Sequence, residues 1–247
     1  VTDERPTHID LFSGIGGFAL AAERVGWRTK LFVEKNEYCQ KLLRKHWPKI
    51  EIISDIKEFD ARGHRGVSLI TGGFPCQPFS IGNQTERRGK DDDRYLWPEM
   101  FRVIKESKPD FVLAENVTGI IKVALDEVLT NLDSIGYTAG TFIIPACGIN
   151  SPHRRNRVWI VANSNKQGSQ GLRGLSGKRE GGSEVPVGKG SWSLKGTWES
   201  EPDIRRVAHG IPKRVDRLTA LGNAIVPGIA EEILRSLMKS YEAGSCY

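Results

Sequence analysis

Short apolar runs alternate with amphipathic stretches along most of the chain. His8-Ile9-Asp10-Leu11-Phe12 reads as a first strand, glycines break the pattern at Ser13-Gly14-Ile15-Gly16-Gly17, and Phe18 to Arg24 reads as a helix. Lys30-Leu31-Phe32-Val33 predicts a second strand, residues 36–46 a second helix and Glu51-Ile52-Ile53 a third strand. Val67-Ser68-Leu69-Ile70-Thr71 is aliphatic, β-branched and short enough for a buried strand ending at Gly72-Gly73. Helices are expected from about Leu96 to Lys105 and from Leu125 to Leu132, with strands at Phe111 to Val117 and Thr141 to Pro145. A further strand follows Arg157, and an amphipathic helix from about Ile229 to Met238 closes the pattern. Strands alternating with helices predict an α/β fold, in which ligands collect outside the carboxyl ends of the strands.

Two stretches depart from this rhythm. Residues 81–93 are polar and charged, with Arg87, Arg88, Lys90 and the run Asp91-Asp92-Asp93, which suits a functional loop or a solvated linker. From Ser164 to Gly196 glycines recur and apolar residues are few, so that stretch supplies little core of its own.

The candidate chemistry sits where strands are expected to end. In GGFPCQPFS, residues 72–80, two glycines and two prolines make a stiff turn that lifts Cys76 off the end of the fourth predicted strand. That setting favours a presented nucleophile over a buried cysteine acting as a small hydrophobe, although a thiol with an ordinary pKa of about 8.5 needs an electropositive neighbour or a base to react well. The strand, glycine turn and helix at residues 8–24 form a unit that brings backbone N–H groups close to a cofactor. Its spacing is not the dinucleotide fingerprint, because Ala19 stands where the last glycine would be, which counts against NAD. Glu34 ends the second strand about twenty residues beyond the turn, where ribose hydroxyls are usually accepted. Arg155 and Arg157 are two apart, so an extended backbone would aim both guanidiniums at one face, suited to phosphate, carboxylate or a base edge.

Composition bounds these readings. The 247 residues are 38% hydrophobic and 27% charged, enough for one globular core. No apolar run is long enough to span a bilayer and the first residues lack a signal-peptide pattern, so a cytoplasmic protein is expected. Cys39, Cys76, Cys147 and Cys246 lie far apart without a CxxC, which argues against zinc and against a disulfide framework. A net charge of +6 and a pI near 9.2 are compatible with a polyanionic partner.

DLFSGIGGF, PCQPFS, ENV at 115–117, HRRNR at 153–157 and GNAIVP at 222–227 come in one order, and with them the chain resembles the DNA (cytosine-5-)-methyltransferase family. The resemblance implies a Rossmann-like, mostly parallel sheet flanked by helices, the class I S-adenosylmethionine-dependent architecture, with a small irregular target-recognition segment. It divides the chain into a catalytic domain at 1–163, a short recognition segment at 164–205 and a C-terminal part at 206–247 that returns to the catalytic domain. It implies S-adenosyl-L-methionine as cofactor, held by Phe12, Ser13, Gly14, Ile15, Gly16, Gly17, Glu34, Asp55, Ile56, Pro75, Asn223 and Ala224. Glu34 would bind the ribose and Asp55 the adenine amino group. Cys76 would add to C6 of a flipped cytosine, a protonated Glu115 would serve N3, Arg157 would hold O2, and Arg155 would meet a phosphate or the loop at 81–93 that closes over DNA.

Two positions differ from the pattern of relatives: Lys35 stands where an aromatic usually follows the ribose-binding glutamate, and His153 where glutamine is usual. The implied setting is a bacterial or phage-infected cell, with duplex DNA as partner, a monomer, and room for a companion restriction nuclease. The recognition interval is short and basic, which suits a short or relaxed target and steeply salt-dependent binding. An RNA (tRNA) cytosine-C5 methyltransferase, and a silent nucleic-acid-binding homologue, remain open alternatives at this point.

Overall fold

The computed structural model describes residues 3–76, 95–149, 151, 153–165 and 214–244. Seven strands, β1 (Thr7–Leu11), β2 (Arg28–Val33), β3 (Glu51–Ile53), β4 (Leu69–Gly72), β5 (Phe111–Val117), β6 (Tyr137–Ile144) and β7 (Arg157–Ser164), form one sheet in the order β3-β2-β1-β4-β5-β7-β6. The first five strands in this order pair in parallel, while β7 runs antiparallel to both β5 and β6. The chain builds outward from β1 through β2 to β3, then returns to place β4 on the other side of β1. A crevice therefore opens at the carboxyl ends of β1 and β4.

Helices cover both faces, as the alternation along the sequence predicts. They are α1 (Gly17–Arg24), α2 (Glu37–His46), α3 (Trp97–Ser107), α4 (Leu125–Ser134), α5 (Arg214–Asn223) and α6 (Pro227–Gly244). Ile9, Leu11, Leu31, Val33, Ile70 and Val112 face one core with Trp97, Met100, Ile104 and Val128. Leu69, Leu113, Trp159 and Val161 face the other, with Phe18, Ala22 and Trp27 from the α1 region and Ile229, Leu234 and Leu237 of α6. The C-terminal helix thus lies against α1, joined to it by Arg24 and Glu231 at 3.3 Å. Among the described residues no helix is long and apolar enough to cross a membrane.

Local chemistry fixes where helices begin. Asn36 accepts from the N–H groups of Tyr38 and Cys39 at 2.9 and 3.1 Å, capping α2, whose last turn carries Arg44, Lys45 and His46 against its negative end. At the start of α1 no side chain caps the helix, and Gly16 does the work with its backbone at φ +86°. Three boundaries differ from the sequence reading. Strand β6 starts at Tyr137 because Tyr137 opens an eight-residue ladder with β7. Strand β1 stops at Leu11 because Phe12 turns into the left-handed region at φ +52°. Arg155, read as part of an extended segment, has φ +31° and lies outside β7.

Gly16→Ala tests the turn. A Cβ at Gly16 would stand 2.5 Å from Cζ3 of Trp47, so the substitution combines left-handed strain with a ring clash, whereas Gly136, at φ +83°, has open space. Gly16→Ala should cost about 2–4 kcal/mol in urea unfolding and Gly136→Ala about 1 kcal/mol. Equal losses would show that Trp47 yields without cost.

Candidate active site

Parallel pairing sets Leu11 beside Gly72 and Gly72 beside Ala114, so the glycine turn after β1, the cysteine turn after β4 and Glu115 near the end of β5 leave the sheet side by side. A cavity of about 720 Å³ opens outside these ends. It is lined by Phe12, Ser13, Gly14, Ile15, Gly17, Glu34, Asp55 and Ile56 on one side and by Pro75, Cys76, Glu115 and Arg157 on the other. Asn223 and Ala224 reach it from the end of α5.

At the first side the backbone is tied to two carboxylates. The Ser13 hydroxyl donates to the Asp10 carbonyl at 2.6 Å, and Gly14 N–H donates to Glu34 Oε2 at 2.6 Å. Glu34 Oε1 accepts from Asn36 N–H at 2.7 Å. Burial pushes the Glu34 carboxyl above the usual range, and these backbone donors oppose the shift. Glu34 takes backbone N–H donors on both oxygens and, as an acceptor-only carboxylate, has lone-pair capacity left for a hydroxyl group. Asp55 accepts from Lys57 N–H at 3.0 Å and from Lys35 Nζ at 3.1 Å, and these donors, the Lys57 N–H first, hold its carboxyl below the ordinary value. Two acceptors above apolar Phe12, Ile15 and Ile56 fit a nucleoside with hydroxyls at one end and a flat base at the other.

The second side is built on the cysteine turn. Asn116 Nδ2 donates to the Phe74 carbonyl at 3.0 Å, Leu96 N–H donates to the Pro75 carbonyl at 3.2 Å, and Cys76 bridges to Tyr95. These three ties fix the turn without help from the thiol. Cys76 is buried, and burial pushes its pKa up to about 11, so the expected electropositive activation is not met in the free chain. Glu115 lies beside it on β5. Because β7 is antiparallel, Val117 faces Arg157 across the ladder, and Glu115, two residues back on the same face, reaches Arg157 diagonally. Arg157 Nε stands 2.8 Å from Glu115 Oε1. Burial is the larger influence and raises the Glu115 carboxyl to about 7 against the pull of Arg157 and Arg155. Glu115 is therefore poised between donor and acceptor at neutral pH.

The predicted residues do not all converge. Arg155 and Gly16 line an adjoining cavity of about 640 Å³ instead. Arg155 takes a left-handed turn, and its Nη2 donates to the carbonyls of Gly222 and Ala224 at 2.7 and 2.8 Å, whereas Arg157 pairs with Glu115. The shared face expected from extended spacing is thus corrected. His153 Nδ1 is hydrogen-bonded to the Ser151 hydroxyl. The expected closing loop at 81–93 and most of the recognition segment at 164–205 lie outside the described residues. Sequence reasoning passed over Asn116, although it sits inside ENV, and over Lys35 as a partner of Asp55. It also missed Cys39, Ser54 and Ile225, which line the main cavity. Of these, Asn116 in ENV and Ile225 in GNAIVP lay inside quoted motifs, and the others carried no signal.

A mostly parallel seven-stranded sheet with this crevice is the class I S-adenosylmethionine-dependent methyltransferase fold. Residues 7–213 match the family described as C-5 cytosine-specific DNA methylase, and the chain belongs to that family. It is 32% identical over 167 residues to the Type II methyltransferase M.NgoMIV of Neisseria gonorrhoeae, covering 65% of this chain and 52% of that protein. It is 37% identical over 161 residues to the Type II methyltransferase M.PspPI of Psychrobacter sp. (strain TA137), covering 62% and 38%. The chain thus spans about half the length, or less, of these curated relatives. Among solved structures it resembles the Dnmt2 methyltransferase of S. pombe, with a TM-score of 0.56 at 24% identity over 66% of this chain and 52% of the other, a likeness of fold.

Cysteine accessibility is directly checkable. Of the three described cysteines, Cys39 and Cys76 are buried and Cys147 is exposed, and burial raises both buried thiols to about 11. Iodoacetamide at pH 8 should label Cys147 well before the other two, as read by peptide mass spectrometry. Early labelling of Cys76 would mean that its thiol is open and activated without substrate.

Proposed function

We propose that the chain transfers a methyl group from S-adenosyl-L-methionine to C5 of cytosine in duplex DNA, through covalent addition of Cys76 at C6. The observation that carries this reading is the single cavity holding the glycine turn and Glu34 at one end and Cys76, Glu115 and Arg157 at the other. Family membership supports the reaction class, and the Type II relatives support DNA as substrate.

Bound between Phe12 to Gly17, Glu34, Asp55 and Asn223, the cofactor supplies a methyl group made electrophilic by its sulfonium. Cytosine C5 is too poor a nucleophile to take that group unaided. The Cys76 sulfur forms a bond to C6 as its proton passes to solvent, and the ring electrons move toward C5 and N3. Glu115 in its neutral form donates a proton to N3, and Arg157 hydrogen-bonds O2, so the charge developing on the ring meets fixed donors. C5, now an enamine carbon, is the nucleophile that bonds to the methyl group. Loss of the C5 proton to a base then expels the Cys76 sulfur, and the N3 proton returns to the Glu115 carboxylate. Burial keeps Cys76 protonated in the free chain, so its thiol has to give up a proton as the sulfur bonds to C6. A base inside a duplex must leave the stack to reach this cavity.

On the same reading residues 164–205, between 1–163 and 206–247, form the target-recognition segment. The enzyme works as a monomer in the cytoplasm, and a companion restriction nuclease would complete its setting.

Duplex DNA carrying 5-fluorocytosine should form a covalent complex that survives denaturation, because fluorine at C5 cannot leave as a proton. Peptide mapping should place the adduct on Cys76, and Cys76→Ser should abolish both adduct and methylation. An adduct on Cys39 or Cys147 would contradict the assignment, and methyl incorporation into tRNA but not DNA would overturn the substrate.

A further inference from the structure

Arg155 is the one predicted catalytic residue whose side chain leaves the reaction cavity. It sits in the turn before β7 at φ +31°, a conformation that side chains other than glycine rarely adopt and that persists where surrounding contacts hold it. Its Nη2 donates to the Gly222 carbonyl at 2.7 Å and to the Ala224 carbonyl at 2.8 Å.

Those carbonyls belong to the C-terminal end of α5 and the residues just after it. The final helical bond there runs from Ala224 N–H to the Ala220 carbonyl at 3.0 Å, so the carbonyls that follow have no partner further along the helix. A cation at a helix C-terminus meets both unfilled acceptors and the negative end of the helix. One planar guanidinium does both, and it spans two acceptors as a lysine ammonium does less well.

What this end of α5 does is shown by its neighbours. Gly222, Asn223, Ala224 and Ile225 all line the main cavity. Ile225 presses on the glycine turn so closely that a Cβ added at Gly17 would lie 2.7 Å from Ile225 Cγ1. The segment at 222–225 is therefore a wall of the nucleoside-shaped end of the cavity, and Arg155 is tied to it through two hydrogen bonds. Two residues further along the chain, at the start of β7, Arg157 holds Glu115 at 2.8 Å at the opposite end.

We infer that Arg155 is a positioning residue of the cofactor site, which holds the wall at 222–225 against the glycine turn and joins it to the turn that aims Arg157 at Glu115. The inference rests on the proposed function, in that the cavity end beside Gly14 and Glu34 takes the nucleoside of S-adenosyl-L-methionine. It assigns Arg155 to cofactor affinity and not to a DNA phosphate.

The test uses the full chain and S-adenosyl-L-homocysteine, the demethylated product of the cofactor, titrated by calorimetry. Wild type, Arg155→Ala and Arg155→Lys are compared, each with its unfolding temperature measured without ligand, and DNA binding is measured across a salt series. Arg155→Ala should weaken S-adenosyl-L-homocysteine about tenfold, the loss expected for hydrogen bonds from a charged donor. Arg155→Lys keeps a positive charge at the helix end and should recover part of that loss, and it carries the test alone should the alanine variant fail to fold. The slope of log affinity for DNA against log salt should be unchanged in both variants.

Undiminished affinity for S-adenosyl-L-homocysteine, with a salt slope lower by about one, would overturn the inference and make Arg155 a phosphate contact. Weakened binding that tracks a lowered unfolding temperature and is not relieved by lysine would also overturn it, leaving only a structural role. A wild-type chain that does not bind S-adenosyl-L-homocysteine would overturn the proposed function itself, and this inference with it.

Discussion

The site depends on how closely three strands leave the sheet together. Adjacent strands lie about 4.8 Å apart, so the pairing of Leu11 with Gly72 and of Gly72 with Ala114 brings the exits of β1, β4 and β5 within about 10 Å. Gly72 permits that approach, since a Cβ there would lie 3.1 Å from Met100 Cε and 3.2 Å from the Leu11 carbonyl. The reversed direction of β7 completes the group. Because β7 is antiparallel to β5, its first residue, Arg157, arrives at the end where β5 finishes, and a parallel strand would have carried it to the opposite edge.

Within that geometry two buried groups are held in opposite states of readiness. Burial keeps Cys76 neutral, with its pKa pushed to about 11, while burial against an arginine leaves Glu115 near 7. On the proposed reading the acid is ready to share a proton before substrate arrives, whereas the nucleophile still holds its own. Beneath the glycine turn, Thr71 donates to Asp10 Oδ1 at 2.7 Å and lies 2.8 Å from His8 Nε2, and His8 Nδ1 lies 2.9 Å from Thr29 Oγ1. Burial raises Asp10 to about 8 and keeps His8 well below its ordinary value, so burial favours the neutral form of both groups in this polar chain.

Local signals made much of this legible in advance. The aliphatic and β-branched runs marked the strands, the glycines marked the first turn, the acidic strand tip pointed to Glu34, and the Gly-Pro turn pointed to Cys76. What the sequence could not show was direction and distance between segments. Arg155 and Arg157 share a face only if the backbone is extended, and a single left-handed residue separates them. The antiparallel placement of β7 is a property of the sheet, and the grip of Asn116 on Phe74 joins residues 42 apart. Lys35 was noticed as a departure from relatives, but its pairing with Asp55 depends on two strands lying side by side. Family resemblance suggested the roles, and the structure shows which of those residues line one cavity.

The central claim is that burial outweighs Arg157 and leaves Glu115 able to donate a proton at neutral pH. Carboxyl ¹³C NMR of the free chain, with the Glu115 resonance assigned from Glu115→Gln, measures this directly. The account predicts a titration midpoint near 7. A midpoint at or below the ordinary value of 4.5 would contradict it, because Glu115 would then be a permanent anion paired with Arg157 and unable to act as the acid proposed for it.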